Sequence, residues 1–200
     1  MVRKWLTVAA LLIGTSAFAK VSVDSAAPDF TLTGSNGETV SLSDFKGKHV
    51  VLEWTNHLCP YVKKHYESDN MQALQRKYTE KDVVWLSIIS SAPGKQGYVD
   101  AAKANELTTN RNAAPNHVLF DPEGNVGKQY AAKTTPHMYI IDPKGELKYA
   151  GGIDSIKSAN PADIPKATNY VDQGLTALLA GQNIDNKLTP PYGCSIKYKG

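Results

Sequence analysis

Two apolar runs, "HVVLEWT" (His49–Thr55) and "VVWLSIIS" (Val83–Ser90), constrain this chain most, because both are rich in β-forming residues and neither alternates apolar with polar positions. Strands of that composition are covered on both faces. Between them, Pro60 to Tyr78 contains no glycine, is rich in Lys, Gln, Leu and Met, and spaces Val62, Tyr66, Met71, Leu74 and Tyr78 near helical intervals. The spacing predicts a helix there. Strand, helix, strand in this order favours a parallel pair joined by a crossover.

The flanking chain completes an α/β pattern. "DFTLT" and "TVSL", separated by "GSNGE", predict a hairpin before the first apolar run. "YVDAAKANEL" (Tyr98–Leu107) reads as helix, "HVLF" as a short strand, and "DPEGN" as a turn into a short helix around Val126–Ala132. "HMYIIDPKGELKYAGG" predicts two strands joined by a Pro-Lys-Gly turn, directly after Pro136. Residues Ile153 to Pro165 are Ser/Asn/Pro-rich and predict an irregular insertion. A closing helix follows, with Pro165 near its first turn and Gly181 near its end. Without internal repeats or low-complexity linkers, residues 20–200 are expected to form one domain with a tail at 182–200.

The first residues set the expected compartment. A basic start (Arg3, Lys4), an apolar stretch and Ala17-Phe18-Ala19 have the form of a secretory signal, so residues 1–19 are expected to be a cleaved signal peptide and the protein periplasmic or otherwise extracytoplasmic. The apolar run is shorter than the roughly 20 residues that cross a bilayer, and no later segment is apolar enough to span one. Of 22 basic residues Arg3 and Lys4 fall in the signal, leaving 20 against 19 acidic and a net charge of +1. No dense Lys/Arg run points to nucleic acid or an anionic membrane. Lys63, Lys64, Lys197 and Lys199 are expected to be solvated.

In an oxidising compartment, two cysteines are too few for a disulfide-dependent scaffold, and 42% hydrophobic content is enough for a core. A reactive role therefore competes with a packing role. Cys59 stands just before the predicted helix, where unpaired N–H groups and the positive helix end lower a thiol pKa. Pro60 suits the first helical turn. Cys194, in "PPYGCSIKY", is a thiol on an expected mobile tail. It is either a resolving partner for Cys59, half of a structural bridge, or a buried anchor. Glu53 is either a buried carboxylate assisting proton transfer to Cys59 or, as the plainer expectation, a strand-end residue pointing to solvent.

Three separated stretches carry a resemblance. "APDFTLTGSNGETVSLSDFKGKHVVLEW" (Ala27–Trp54), "TNHLCP" and "TTPHMYIIDPKGEL" occur in the order found in the alkyl hydroperoxide reductase/thiol-specific antioxidant (redoxin, peroxiredoxin-like) branch of the thioredoxin-like superfamily, which the chain resembles from about Ala27 to about Ala180. The resemblance implies a thioredoxin-like α/β fold, with a central mixed β-sheet flanked by helices and an N-terminal β-hairpin extension. It implies Cys59, Thr135 and Pro136 as site residues, with Pro136 cis and against Cys59 and the preceding backbone free to pair with an extended chain; Cys194 joins them as the candidate second thiol.

The pattern also departs from both parent groups. Val62 replaces the second cysteine of a Cys-x-x-Cys, so any resolving thiol must come from elsewhere. Asn56 stands where peroxiredoxins place threonine, with Thr55 one place further. The place of their arginine falls at Pro136, and Arg76 and Arg111 are the only arginines after the signal. Losing those donors removes several kcal/mol of transition-state help for peroxide reduction. The expected function is thiol–disulfide exchange through Cys59 with protein or small thiols and an unidentified electron donor, without cofactor or metal. The alternatives are peroxide reduction through a Cys59 sulfenate, and a copper-binding module using His57, Cys59, His65, Met71 and His137.

Overall fold

A computed structural model describes residues 21–200, so the expected signal peptide lies outside the described residues. The first apolar run becomes β3 (Val50–Trp54) and the second β4 (Val84–Ile89), paired in parallel with Val50 opposite Val84 and Trp54 opposite Ile88. Every residue of both strands is buried, including Glu53 and Ser87, as expected of strands covered on both faces. The hairpin β1 (Thr31–Gly34) and β2 (Thr39–Ser41), strand β5 (His117–Phe120), and the hairpin β7 (His137–Ile141) and β8 (Leu147–Gly151) complete a seven-stranded sheet. Its order is β2-β1-β5-β4-β3-β7-β8. Strands β3, β4 and β5 run parallel and the outer pairings are antiparallel, giving the mixed sheet of a thioredoxin-like fold.

Alternation along β3 splits the core. Val50, Leu52 and Trp54 pack on one face with Phe30, Leu86, Tyr130 and Tyr139, whereas Val51 packs on the other with Trp85, Met138 and Ile140. The second face is covered by α1 (Pro60–Glu67), α2 (Asn70–Thr79) and α5 (Tyr170–Leu179), through Val62, Tyr66, Met71, Leu74, Tyr78, Val171 and Leu175. Helix α3 (Ala101–Asn110) packs Ala104 on Ile89 and Val99, and the short α4 (Asn125–Gln129) brings Val126 to the first face.

The expected single helix from Pro60 to Tyr78 is two. The Ser68 hydroxyl donates to the carbonyls of Lys64 and His65 at 2.7 and 3.4 Å, and Asp69 turns left-handed (φ 58°) with its carboxylate on Arg76. Short polar side chains compete here with the helical ladder. Helix α3 begins three residues later than expected, because Asp100 caps it by accepting from Lys103 N at 2.8 Å. Pro165 does not start the closing helix. It lies in a 3-10 turn (Pro161–Lys166) within the expected irregular segment, and Asn169 caps α5 by accepting from Asp172 N.

Residues 182–200 are not a loose tail. Tyr192 packs with the helix-covered face and Ile196 with the opposite one, so the chain crosses the end of the sheet between them. There β9 (Cys194–Ser195) pairs antiparallel with β6 (Thr134–Thr135) as a separate two-stranded sheet. Among the described residues no helix is long and apolar enough to cross a membrane.

Candidate active site

Strand β3 ends at Trp54 and the chain turns through Thr55–Leu58 to place Cys59 at the N-cap of α1, with Pro60 at the first helical position. The Asn56 side chain holds this turn, accepting from Leu58 N at 2.9 Å and donating to the Gln96 carbonyl at 3.3 Å. The Cys59 carbonyl accepts from Val62 N and Lys63 N, which leaves its sulfur at the mouth of the helix. The thiol is fully buried and donates to the Thr135 carbonyl at 3.1 Å. The Thr135–Pro136 peptide is cis.

The second cysteine arrives from the opposite end of the chain. Pairing of β6 with β9 sets Cys194 directly opposite Thr135, and the Cys194 side chain packs against the cluster containing Cys59. Both thiols are free. Burial pushes the Cys59 thiol up, but the donors available to its thiolate, namely the Cys194 thiol, the Thr135 hydroxyl and the backbone N–H groups of Cys194 and Val62, outweigh it and hold Cys59 below the ordinary thiol range. Burial, followed by the hydrogen bond and charge of Cys59, pushes Cys194 up to about 11. The first proton lost from the pair is therefore that of Cys59, and Cys194 keeps the second.

Thr135 has a specific part in this. Its Oγ1 is buried and lacks a hydrogen-bond partner while Cys59 is a thiol, because the S–H donates to the Thr135 carbonyl instead. Ionisation of Cys59 removes that S–H and creates an acceptor for the waiting hydroxyl. Thr135→Val is expected to lower the thiolate fraction at neutral pH about tenfold, since a hydrogen bond to a charged group is worth about 1.5–3 kcal/mol. Ultraviolet thiolate absorbance against pH measures this. The unfolding midpoint should hold or rise, because the lost hydroxyl is unsatisfied in the thiol form; a fall in both would assign Thr135 a packing role.

Two expectations about nearby charges are corrected. Glu53 does not point to solvent: it is fully buried under α1 and α2, with Oε1 accepting from Tyr66 Oη at 2.8 Å. Its Oε2 accepts from Trp85 Nε1, Ser87 Oγ and Gln75 Nε2 at 2.8, 3.1 and 3.2 Å. Those donors, each from a different position in the fold, compensate the burial of the carboxylate. Burial, reinforced by Glu53, raises the Tyr66 phenol well above its usual value, so Tyr66 stays a donor.

Lys64 is likewise not solvated. Only 1% exposed, it donates to Asp154 Oδ2 at 3.2 Å and to the Ile156 carbonyl at 3.4 Å, while Asp154 Oδ1 accepts from Tyr192 Oη at 2.5 Å and from Ile156 N at 3.0 Å. His65 Nε2 lies 3.4 Å from Tyr192 Oη and 3.8 Å from Asp154 Oδ2, and Nδ1 meets Asn70 at 2.8 Å. Burial lowers the His65 pKa to about 4, against the opposing charge of Asp154, so the ring is neutral at physiological pH. The sequence pattern marks neither Asp154 nor Tyr192, and it places Lys64 in solvent. Nothing local distinguishes them from surface residues.

The geometry does not assemble the other candidate sets. Arg111 Nη2 donates to the His57 carbonyl at 3.3 Å and its guanidinium lies over the Tyr66 ring, so it does not supply the peroxide-polarising arginine beside Cys59. His137 Nδ1 accepts from Lys133 N, and burial drives its pKa to about 3. Among the described residues no three His, Cys, Asp or Glu side chains gather as a metal site.

A model of the AhpC/TSA family matches residues 23–150. The thioredoxin-like protein YneN of Bacillus subtilis is 32% identical over 61% of this chain and 66% of its own length, just under two thirds of that relative. The thiol-disulfide oxidoreductase ResA of Bacillus thuringiensis subsp. konkukian is 29% identical over 64% of this chain and 68% of its own. The crystal structure of a conserved protein from Geobacillus kaustophilus superposes with a TM-score of 0.78 at 28% identity, covering 92% of this chain and 94% of that one. The family match ends before Asp154, Tyr192 and Cys194.

Proposed function

The chain belongs to the AhpC/TSA family, and we propose that it is a thiol-disulfide oxidoreductase in which Cys59 is the nucleophile, Cys194 the resolving thiol, and Thr135 with Pro136 the wall of their pocket. The observation that carries this reading is that two free thiols meet at Thr135: Cys59, at the start of α1, donates to the Thr135 carbonyl, and Cys194 stands opposite Thr135 and packs against the cluster that holds Cys59. The thiol-disulfide oxidoreductases among its relatives support the reaction class. The amino-terminal signal pattern supports work outside the cytoplasm by a mature domain of residues 20–200.

The Cys59 thiolate attacks one sulfur of a partner disulfide. A Cys59–partner S–S bond forms as the partner's own S–S bond breaks, and the partner's other sulfur leaves as a thiolate that takes up a proton. Formation of the mixed disulfide also removes the Cys59 charge, one of the influences holding the proton on Cys194, although burial remains the larger. Cys194, deprotonated, then attacks the Cys59 sulfur. The Cys59–Cys194 bond forms and the partner's second sulfur departs as a thiolate, so the partner is reduced and this thiol pair oxidised. An external dithiol returns the electrons by the reverse exchange. Disulfide-bearing proteins or small thiols are the partners, and neither cofactor nor metal enters the exchange.

Peroxide reduction finds less support, because the residues that would orient a peroxide are engaged elsewhere: Asn56 in its turn and Arg111 on the His57 carbonyl. The mature protein, reduced and then exposed to excess oxidised glutathione, is expected to yield an intramolecular Cys59–Cys194 disulfide by mass spectrometry. Its ultraviolet thiolate titration should show a first step below the unperturbed thiol value of about 8.5 that vanishes in Cys59→Ser. A first step at or above that value, or oxidation that leaves both cysteines as separate glutathione adducts, would defeat the proposal.

A further inference from the structure

A protein that exchanges disulfides with other polypeptides must expose its sulfur to them, yet Cys59 is fully buried. The chain's own C-terminal segment lies against its pocket, with Tyr192 and Cys194 packed in the same cluster. Cys194 and Ser195 lie opposite Thr135 and Thr134, and Ile196 N donates to the Lys133 carbonyl at 3.0 Å, so the segment occupies the Thr134–Thr135 edge as an added antiparallel strand. It is fastened on both sides of Cys194. Upstream, Tyr192 is held by its 2.5 Å bond to Asp154, beside Lys64, and by an edge-on contact with Tyr61. Downstream, Ile196 is buried and Tyr198 donates to the Ala132 carbonyl at 2.8 Å.

Within this strap, Gly193 presses against the wall of the site. With φ 137°, it sits so near the wall that a Cβ would lie 2.0 Å from the Thr135 carbonyl oxygen, the same oxygen that accepts from Cys59. Only glycine fits there without moving the backbone. We propose that Pro190–Ile196 is a built-in occupant of the surface on which partners dock. A partner takes its place as an extended polypeptide whose disulfide cysteine follows a glycine, and the Tyr192–Asp154 contact governs how readily the strap yields. This rests on Cys59 being the reactive thiol and adds which polypeptides reach it and what they displace. Pairing to the Thr134–Thr135 backbone supplies affinity independent of partner sequence, and the room at Gly193 supplies selection.

The test uses the full mature chain in a Cys194→Ser background, so that iodoacetamide reports Cys59 alone. Gly193→Ala is expected to speed Cys59 alkylation about tenfold and to speed hydrogen exchange at the Ile196 amide, since a displaced edge strand opens locally. A synthetic peptide spanning Pro190–Lys197 with serine for Cys194 should restore protection in that variant, and the same peptide with alanine for Gly193 should not. Unchanged alkylation alongside faster Ile196 exchange overturns the proposal, as does equal protection by both peptides or by neither.

If Gly193→Ala does not fold, Tyr192→Phe should give a smaller increase of about threefold in alkylation through loss of the Asp154 bond, and no increase overturns the latch. Failure of the parent reading looks different. Cys59 would then be exposed by Gly193→Ala and shielded by the peptide, yet alkylate no faster than free cysteine at the same pH.

Discussion

Cys59→Ser is expected to abolish reduction of a disulfide-bonded test protein, whereas Cys194→Ser is expected to complete the first exchange and stall. The asymmetry follows from the order of proton loss. Cys59 is the lower-pKa thiol, held so despite burial by donors from Cys194, Thr135 and Val62, whereas burial pushes the Cys194 thiol up to about 11. With Cys194 gone, release of the mixed disulfide depends on an external thiol and should slow by about a hundredfold or more, because a thiol carried on the same chain and returned to the site with its strap acts at a high effective molarity. Mass spectrometry of Cys194→Ser mixed with a disulfide peptide should find one peptide half on Cys59. Residual turnover in Cys59→Ser, or undiminished turnover in Cys194→Ser, would move the chemistry away from this pair.

Asp154→Ala is expected to cost about 3–5 kcal/mol of unfolding free energy, the range for breaking a buried ion pair from one side. The substitution strands the Lys64 ammonium, 1% exposed, with only the Ile156 carbonyl at 3.4 Å. It also deprives Tyr192 Oη of its 2.5 Å acceptor and Ile156 N of its partner. Lys64→Met should cost much less, because Asp154 retains the Tyr192 hydroxyl and Ile156 N. The double change Lys64→Met/Asp154→Leu should recover most of the loss, since apolar replacement of both charges removes the desolvation penalty along with the attraction. Urea unfolding of the three variants measures the ordering. A loss below about 1 kcal/mol in Asp154→Ala would mean that water reaches the pair.

The same residue links stability to access. Asp154 accepts from Tyr192, and the strap that carries Tyr192 pairs beside Thr135, whose carbonyl accepts from Cys59. Asp154→Ala should therefore also increase Cys59 alkylation, in the direction of Tyr192→Phe.

The sequence by itself determined the elements whose causes are local. Largely apolar, β-rich runs without alternation at Val50–Trp54 and Val84–Ile89 had to be central strands, turn residues fixed the two hairpins, and Cys59 before Pro60 had to stand at a helix start. Each depends on residues a few positions apart, and patterning at that range is readable. Local competition was harder: the break at Ser68–Asp69 arises from side chains capturing carbonyls, which apolar spacing does not register.

Only the tertiary structure decided which polar residues lie inside. Glu53 is buried because Tyr66, Gln75, Trp85 and Ser87 converge on it from two helices and a neighbouring strand. Lys64 is buried because Asp154 meets it from 90 residues away, and Cys194 reaches Cys59 because the last residues add a strand beside Thr135. A charged or polar side chain leaves water only when partners in the folded chain replace its hydration, and those partners are brought together by long-range topology that no window of sequence contains.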